Sequence, residues 1–264
     1  MTEINVKTQL LNFSLNELMI VTAAREIKDK DIVFAGYGLP LVSTYLAQVS
    51  HAPEVSLITE TGNIRLTPPD SLPQAVDDLT LSANSDMATG LPEVTAMLVR
   101  GEVNVGFLGG AQIDQFGNLN STCIGPYENP KVRLMGSGGA NDIASYAKKS
   151  IIILNQDRKE RFAKRVDYLT SPGYINGPGA RERAGLPPNT GPVCVVTNKG
   201  VYRFEEETKE MYLAHYHPGV SIEEIKDLVE WDLKIGDNVS ETPQPTGNEL
   251  VLLREKIDPN RFYI

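Results

Sequence analysis

This 264-residue sequence is narrowed first by what it has little of. It has two cysteines, Cys123 and Cys194, far apart and without CxxC spacing. That excludes a disulfide framework and reads as reduced thiols in a cytosolic protein. The only histidines are His51, His215 and His217. On a strand His215 and His217 would share a face, but no further histidine or nearby cysteine completes a ligand set, so no metal is expected. A GxSxG elbow is missing, and Gly136-Ser137-Gly138 does not supply one, so a serine triad is not expected. No apolar run approaches the roughly 18 residues of a spanning helix, and no basic segment with an apolar run opens the chain as a signal peptide. Positive charge is also short: 25 Lys and Arg stand against 34 Asp and Glu, a net charge of −9. That balance argues against nucleic acid or an anionic membrane as partner, while leaving room for an anionic small substrate at a locally positive site.

What is present is an ordinary globular composition, 41% hydrophobic and 22% charged, enough to bury a core without staples. The chain reads as one domain over residues 1–264. Residues 1–13 form a leader without chemistry. Ser14-Leu15-Asn16-Glu17 is a capping-box pattern, and helical spacing over Leu18, Val21, Ala24 and Ile27 predicts a helix over 15–28. Residues 31–35 read as a buried strand. Gly36-Tyr37-Gly38-Leu39-Pro40 breaks it, a helix follows over 41–49, and residues 55–59 read as the next strand. Gly36-x-Gly38 lacks the third glycine of a dinucleotide fingerprint. It reads as a tight turn, or as a loop whose amides approach a ligand at a helix N-terminus.

The second strand ends at Glu60, with Gly62 two residues on. Open α/β sheets bind ligands at the C-terminal edge of their strands, and a carboxylate there is held rigidly while facing a crevice. A glutamate in a surface turn is the bland alternative. Residues 63–86 form a Pro-rich excursion with at most a short strand, of the kind that covers a site or meets a partner. A helix is predicted over 92–100 and a strand over 103–108.

The densest turn chemistry comes next. Gly109-Gly110 lets backbone come close to something, and residues 114–118 read as a reversal between two short strands. A second glycine cluster, Gly136-Ser137-Gly138-Gly139-Ala140-Asn141, follows a candidate strand over 132–135 and precedes helical residues 143–148. Residues 151–154 are a buried strand. Two glycine turns beside a carboxylate suit an anionic intermediate held by backbone N–H groups. Cys123 reads as a small buried hydrophobe. The charged stretch 157–165 reads as a solvated helix face. Strands over 193–197 and 201–204 form a hairpin, 211–216 is another strand, and Ser221 to Glu224 caps a helix to about 229. Pro243 and Pro245 mark a linker within a tail near 240–264, which ends in a short helix over 250–255.

These elements predict an α/β fold with an open, mostly parallel sheet flanked by helices. By elimination, the chemistry left is carboxylate nucleophilic catalysis on an activated acyl group such as a thioester. The motifs then carry a resemblance: Gly38-Leu39-Pro40-Leu41, Thr59-Glu60-Thr61-Gly62, residues 107–120, 121–125 and 136–141, Asp167 to Tyr174, Gly177 to Arg183 and Val195 to Gly200. With these the chain resembles the B-type subunits of family I CoA-transferases.

The resemblance implies a ping-pong mechanism in which Glu60 passes through a mixed anhydride to a glutamyl-CoA thioester. It implies an open α/β sheet, an A-type partner subunit in a heteromer, an acyl-CoA and a carboxylic acid as substrates, and no tightly bound cofactor beyond coenzyme A as substrate. Gly109 and Gly110 match the segment whose amide stabilises the oxyanion. Gly36, Gly38, Gln112, Asn120, Gly136, Gly138, Gly139 and Asn141 are the expected substrate and CoA contacts. Thr59 and Thr61 stand where other members carry Ser and Asn or Ser, which puts the neighbouring polar contacts in doubt. Some relatives without the glutamate are decarboxylases or ring-opening hydrolases of CoA thioesters, so hydrolysis or decarboxylation is the alternative activity. Sugar-phosphate-sensing regulator domains share the fold broadly, but the acidic charge and the lack of a DNA-binding segment count against them.

Overall fold

The structure, a computed structural model, describes residues 12–75 and 78–264. The leader expected over 1–13 lies outside these except for its last two residues, as does Asp77 of the excursion. Two compact units make up the chain, Met1–Phe107 with Pro243–Ile264, and Leu108–Thr242.

The first unit opens on α1 (Leu15–Ala24). Ser14 Oγ accepts from Glu17 N at 3.1 Å and Glu17 accepts from Ser14 N at 2.7 Å, so the capping box forms. The helix is buried on all sides from Leu18 to Ala24 and stops short of the predicted Lys28. Arg25 at its C-cap turns away to bind Glu249 at 2.7 Å and the carbonyls of Pro243 and Gln244. That pair and Arg254 with Glu17 latch the C-terminal tail onto α1. Burial alone would raise the Glu17 carboxyl, but Arg254, the Ser14 N–H and Arg261 outweigh it and hold it below the usual range.

The chain continues through β1 (Ile32–Phe34), α2 (Leu39–Val49), β2 (Ser56–Ile58), β3 (Asn63–Arg65), β4 (Met87–Ala88), α3 (Leu91–Val99) and β5 (Val105–Leu108). The strand order is β5-β1-β2-β3-β4. β1 pairs in parallel with β2 and β5, and β3 and β4 extend the sheet antiparallel. The parallel strands are short apolar runs because both of their faces are covered. The Pro-rich excursion is irregular, as expected, but tied down. Buried Arg65 donates to the carbonyls of Thr67, Leu81 and Ala83, Asp78 caps a 3-10 turn at Leu79–Leu81, and Tyr37 Oη donates to Gln74 O at 2.6 Å.

In the second unit β6 (Gln112–Ile113) pairs antiparallel with β7 (Leu119–Asn120), which is the predicted reversal. β8 (Cys123–Ile124) pairs with β9 (Val132–Arg133). Then come α4 (Ala140–Tyr146), β10 (Lys149–Ile153), α5 (Ala180–Arg183), β11 (Pro192–Val196), β12 (Gly200–Phe204), β13 (Met211–Tyr216), α6 (Ile222–Asp227) and β14 (Lys234–Glu241). The order β10-β11-β12-β13-β14 has parallel pairs at its two ends and antiparallel pairs between. Back in the first unit, α7 (Gly247–Val251) runs on into a wider π turn, Leu252–Ile257. The α/β class and the open sheet architecture are as expected. Among the described residues no helix is long and apolar enough to cross a membrane.

Three elements differ from expectation. The charged stretch 157–165 is not a helix beyond one 3-10 turn, Lys159–Arg161. Phe162 is fully buried, bridges to Ile113 and packs between Tyr202 and Trp231, which pulls the chain off a helical path. β14 went unforeseen because it is an edge strand with no buried residue, mostly polar and without an apolar run. The second capping box is half made: Ser221 accepts from Glu224 N, while the Glu224 carboxylate pairs with Lys199 at 2.5 Å.

Candidate active site

Glu60 stands on a tight hairpin. The register Leu57↔Arg65 and Ile58↔Ile64 leaves a three-residue loop, Glu60-Thr61-Gly62, between β2 and β3. Gly62 N donates to Thr59 O at 3.0 Å and Thr59 N to Asn63 O at 3.0 Å. Loops of this length need a left-handed residue at their last position, and Gly62 has φ +89°. A Cβ there would lie 2.2 Å from Thr89 O, so close packing also demands glycine. Thr59 Oγ1 and Thr61 Oγ1 share a hydrogen bond at 2.9 Å, and Asn63 Nδ2 donates to Thr61 Oγ1 at 2.9 Å. The two threonines that depart from the family pattern therefore bind each other and brace the loop from inside.

Glu60 is half-buried and lines a cavity of about 50 Å³ with Ala35, Gly36, Tyr37, Leu41 and Leu81. The structure thus brings together Glu60 and Gly36 at the C-terminal ends of parallel β1 and β2, the edge where such sheets place ligands. Gly38, φ +96°, is the N-cap of α2, and its carbonyl accepts from Leu41 N and Val42 N. Two residues at this wall escaped the sequence reading. Tyr37 packs edge-to-face on Tyr263 at 5.8 Å, and Tyr263 Oη donates to Pro73 O at 2.9 Å. The glycine turn, the excursion and the tail are tied at one point. Tyr37 lay inside a noticed motif, whereas nothing in the sequence marks Tyr263.

The remaining predicted residues belong to the second unit. Gly109 is exposed after β5. Gly110 passes so close to β6 and β7 that a Cβ would sit 3.2–3.4 Å from Leu119, Gln112 O and Asn120 O. Asn120 is fully buried: Nδ2 donates to Gln112 Oε1 and Cys123 O, and Oδ1 accepts from Thr122 N and Cys123 N. Gln112 Oε1 also accepts from Asp167 N, and its Nε2 donates to Glu160 O and Asp167 Oδ2. Both side chains spend their polar atoms inside the fold. Thr170 joins this network to the second glycine cluster, because its Oγ1 meets Thr122 Oγ1 and Ser121 N while its carbonyl accepts from Asn141 Nδ2 at 2.8 Å. Ser121 in turn exchanges two hydrogen bonds with Gly136. Gly138 is exposed with φ +48°, and Gly139 is the N-cap of α4. Gln112, Asn120, Gly136 and Asn141 are therefore one connected structure, with Thr170 as the member that sequence reasoning missed.

Other titratable groups have structural partners. Asp114 accepts from Phe116 N, Asn118 N and Asn118 Nδ2, and burial pushes its carboxyl up to about 6 against those bonds. His217 sits buried between Thr242 Oγ1 and Thr197 O, and burial lowers it to about 4. His215 meets Ser240 Oγ. Cys123 is buried with Sγ toward Gly125 O. Among the described residues no group of three or more His, Cys, Asp or Glu could hold a metal.

Comparison with known proteins follows the same lines. Residues 16–228 match the family model described as Coenzyme A transferase. The chain is 42% identical over 260 residues to the B-type subunit of glutaconate CoA-transferase from Acidaminococcus fermentans, covering 96% of each chain. It is 39% identical over 243 residues to the B-type subunit of 3-oxoadipate CoA-transferase from Pseudomonas knackmussii, covering 92% of each. The crystal structure of glutaconate coenzyme A-transferase from A. fermentans superposes with a TM-score of 0.90 at 40% identity, covering 96% of this chain and 98% of that one.

Proposed function

Because the chain belongs to the coenzyme A transferase family, we propose that it is the B-type subunit of a heteromeric enzyme in which Glu60 carries CoA as a covalent thioester. The Glu60 carboxylate attacks the acyl-CoA carbonyl and expels CoA thiolate, leaving a mixed anhydride. The thiolate attacks the glutamyl carbonyl and releases the donor acid as its carboxylate. The acceptor carboxylate attacks the resulting glutamyl-CoA, and CoA returns to the new acyl group. No proton need be gained or lost over the cycle.

The observation that carries this reading is the presentation of Glu60. A three-residue loop closed by Gly62 and braced by Thr59, Thr61 and Asn63 holds it at a cavity. A nucleophile fixed in this way loses little entropy on reaching the attacking geometry. The Gly109 and Gly110 amides are assigned to the developing oxyanion on the family resemblance, and such donors are worth about 10²–10³ in rate. Gly36, Gly38, Gly136, Gly138, Gly139 and Asn141 are assigned to substrate and CoA contacts. Gln112 and Asn120 act there by positioning the loop, since their polar atoms are already committed. The acids transferred are of the dicarboxylate kind named for the relatives, glutaconate and 3-oxoadipate. An A-type subunit completes the enzyme, CoA enters as substrate with no resident cofactor, and the cytoplasm is where acyl-CoA pools would serve it.

Incubating the assembled heteromer with acyl-CoA, reducing with borohydride and mapping peptides by mass tests the proposal. Glu60 should be recovered as the reduced alcohol. An active heteromer whose Glu60 peptide never changes mass overturns it.

A further inference from the structure

A second cavity, of about 300 Å³, lies wholly within the second unit, and none of its lining residues is among those assigned to the transfer chemistry. Lys148, Lys149, Lys209, Arg181, Glu182 and Tyr174 line it. Lys149 begins β10, while Ile153, the last residue of that strand, is the neighbour of Gly109. Four residue steps along a strand are about 13 Å, so the cavity opens at the far end of β10 from the glycine turn.

The charges around it are unbalanced. Arg181 is 3% exposed. Its guanidinium donates only to neutral acceptors, the carbonyls of Pro172, Gly173, Ala144 and Ser145 and the Thr190 hydroxyl. Buried charges ordinarily have a counter-charge as well as hydrogen bonds. None of the ion pairs recorded among the described residues includes Arg181, Lys148, Lys149 or Lys209. Lys209 Nζ instead rests 5.4 Å from the Tyr174 ring centroid, a contact that orients an ammonium without neutralising it. Four cations and the single carboxylate Glu182 leave about three positive charges on the lining of a cavity in a protein whose net charge is −9.

We propose that this cavity is an anion site, separate from the acyl-transfer site, that takes a free diphosphate-bearing small molecule. A diphosphate carries about the charge that the lining lacks. Lysines bind phosphate as point charges. The volume is at the small end of ligand pockets and excludes a whole acyl-CoA.

The test is isothermal titration of the assembled heteromer with pyrophosphate. The wild type should bind, and the Lys149→Ala, Lys209→Ala double variant should bind at least about tenfold more weakly, since two charge-assisted contacts are gone. Its transfer activity should stay within about twofold of wild type, as these lysines lie outside the transfer machinery. Glu182→Gln removes the one opposing charge and should tighten pyrophosphate binding by about threefold, an effect that misfolding cannot imitate. Equal affinity in wild type and double variant would overturn the proposal, as would absence of binding or a Glu182→Gln variant that binds no tighter. Displacement of pyrophosphate by CoA, together with lost transfer in the double variant, would also overturn it, because the diphosphate would then be the substrate's own.

Discussion

Glu60 and Asp114 stand on matching ground in the sequence. Each follows a short run of strand residues, each opens a turn, and each has a glycine soon after, Gly62 in one case and Gly117 in the other. Their fates diverge. At the first turn, closure falls to the backbone, to the Thr59 and Thr61 hydroxyls and to Asn63, and the half-buried Glu60 lines a cavity. At the second, the same two backbone bonds form, Gly117 N to Asp114 O at 2.9 Å and Asp114 N to Asn118 O at 3.2 Å, and the carboxylate adds its own bonds to them. Asp114 is 4% exposed and accepts from two backbone amides and the Asn118 side chain. Asn118 then accepts from Gly173 N and Ile175 N, so the acid is built into the packing of the next loop. With the backbone closure shared, the difference lies in the side chains: Asp114 is spent on its own turn, while Glu60 lines a cavity.

Matched substitutions give the largest contrast. Glu60→Gln should lower transfer by at least about 10⁴-fold, as loss of a covalent nucleophile does. Its stability should change by less than about 1 kcal/mol, because the carboxamide keeps the shape of the half-buried carboxylate. Asp114→Asn should do the reverse. It turns an amide toward Asn118 Nδ2 and should cost about 1–3 kcal/mol in urea unfolding, with near-normal turnover per folded heteromer. A Glu60→Gln enzyme that still transfers CoA would erase the distinction.

The glycines sharpen it. In Gly62→Ala the new methyl meets the Thr89 carbonyl at 2.2 Å, on backbone with φ +89°. That carbonyl is main chain, on a residue whose N–H donates to Gly62 O at 2.9 Å, and cannot step aside, so the loop must reopen, at about 3–4 kcal/mol and with most of the activity. In Gly117→Ala, φ +72°, the methyl meets the Phe204 ring at 2.8 Å and Pro192 Cγ at 2.9 Å. Side chains can shift, so the loss should be about 1–3 kcal/mol, with transfer per folded enzyme preserved. Thermal melts and active-site titration by borohydride trapping separate the two outcomes.

The division between what could and could not be read from sequence follows the same physics. Buried parallel strands are apolar runs, and capping boxes and left-handed glycines are local, so β1, β2, β10, β11, α1 and the β6–β7 reversal were all legible. The position of Glu60 at the end of β2 was legible too. Its being on a three-residue hairpin was not, because β3 is only three residues long and Arg65 inside it is buried by pairing with distant carbonyls. Thr170 and Tyr263 make their contacts with residues far along the chain, and no window of sequence contains both partners. β14 is specified by the open edge of β13 and not by its own polar residues.

A smaller effect checks the bracing of the reactive turn. Thr61→Val removes the hydroxyl that accepts from Asn63 and meets Thr59 while keeping the shape. The expected loss is about 1 kcal/mol of stability, the worth of a partly buried hydrogen bond. Because the loop carries Glu60, kcat should fall several-fold with KM little changed, whereas a purely structural role would leave kcat per folded enzyme unchanged.

The smallest expected effect is a cancellation between two buried groups of the second unit, Asp114 and His217. Asp114 has its folded pKa raised to about 6 from 3.8, so between those values the folded state holds a proton that the unfolded chain has released. Its contribution to stability is therefore fully present below 3.8 and is lost as pH rises through about 6. His217 has its folded pKa lowered to about 4 from 6.5, so its contribution is present above 6.5 and is lost as pH falls through about 4. From pH 6.5 down to about 5 the two terms are about 1–2 kcal/mol each and of opposite sign. This window lies above the range where the lowered carboxyls of Glu17 and Glu249 take up protons. The urea midpoint of the wild type should accordingly be nearly flat across the window. In Asp114→Asn the histidine term acts alone, and the midpoint should fall steadily as acid is added. In His217→Gln it should rise.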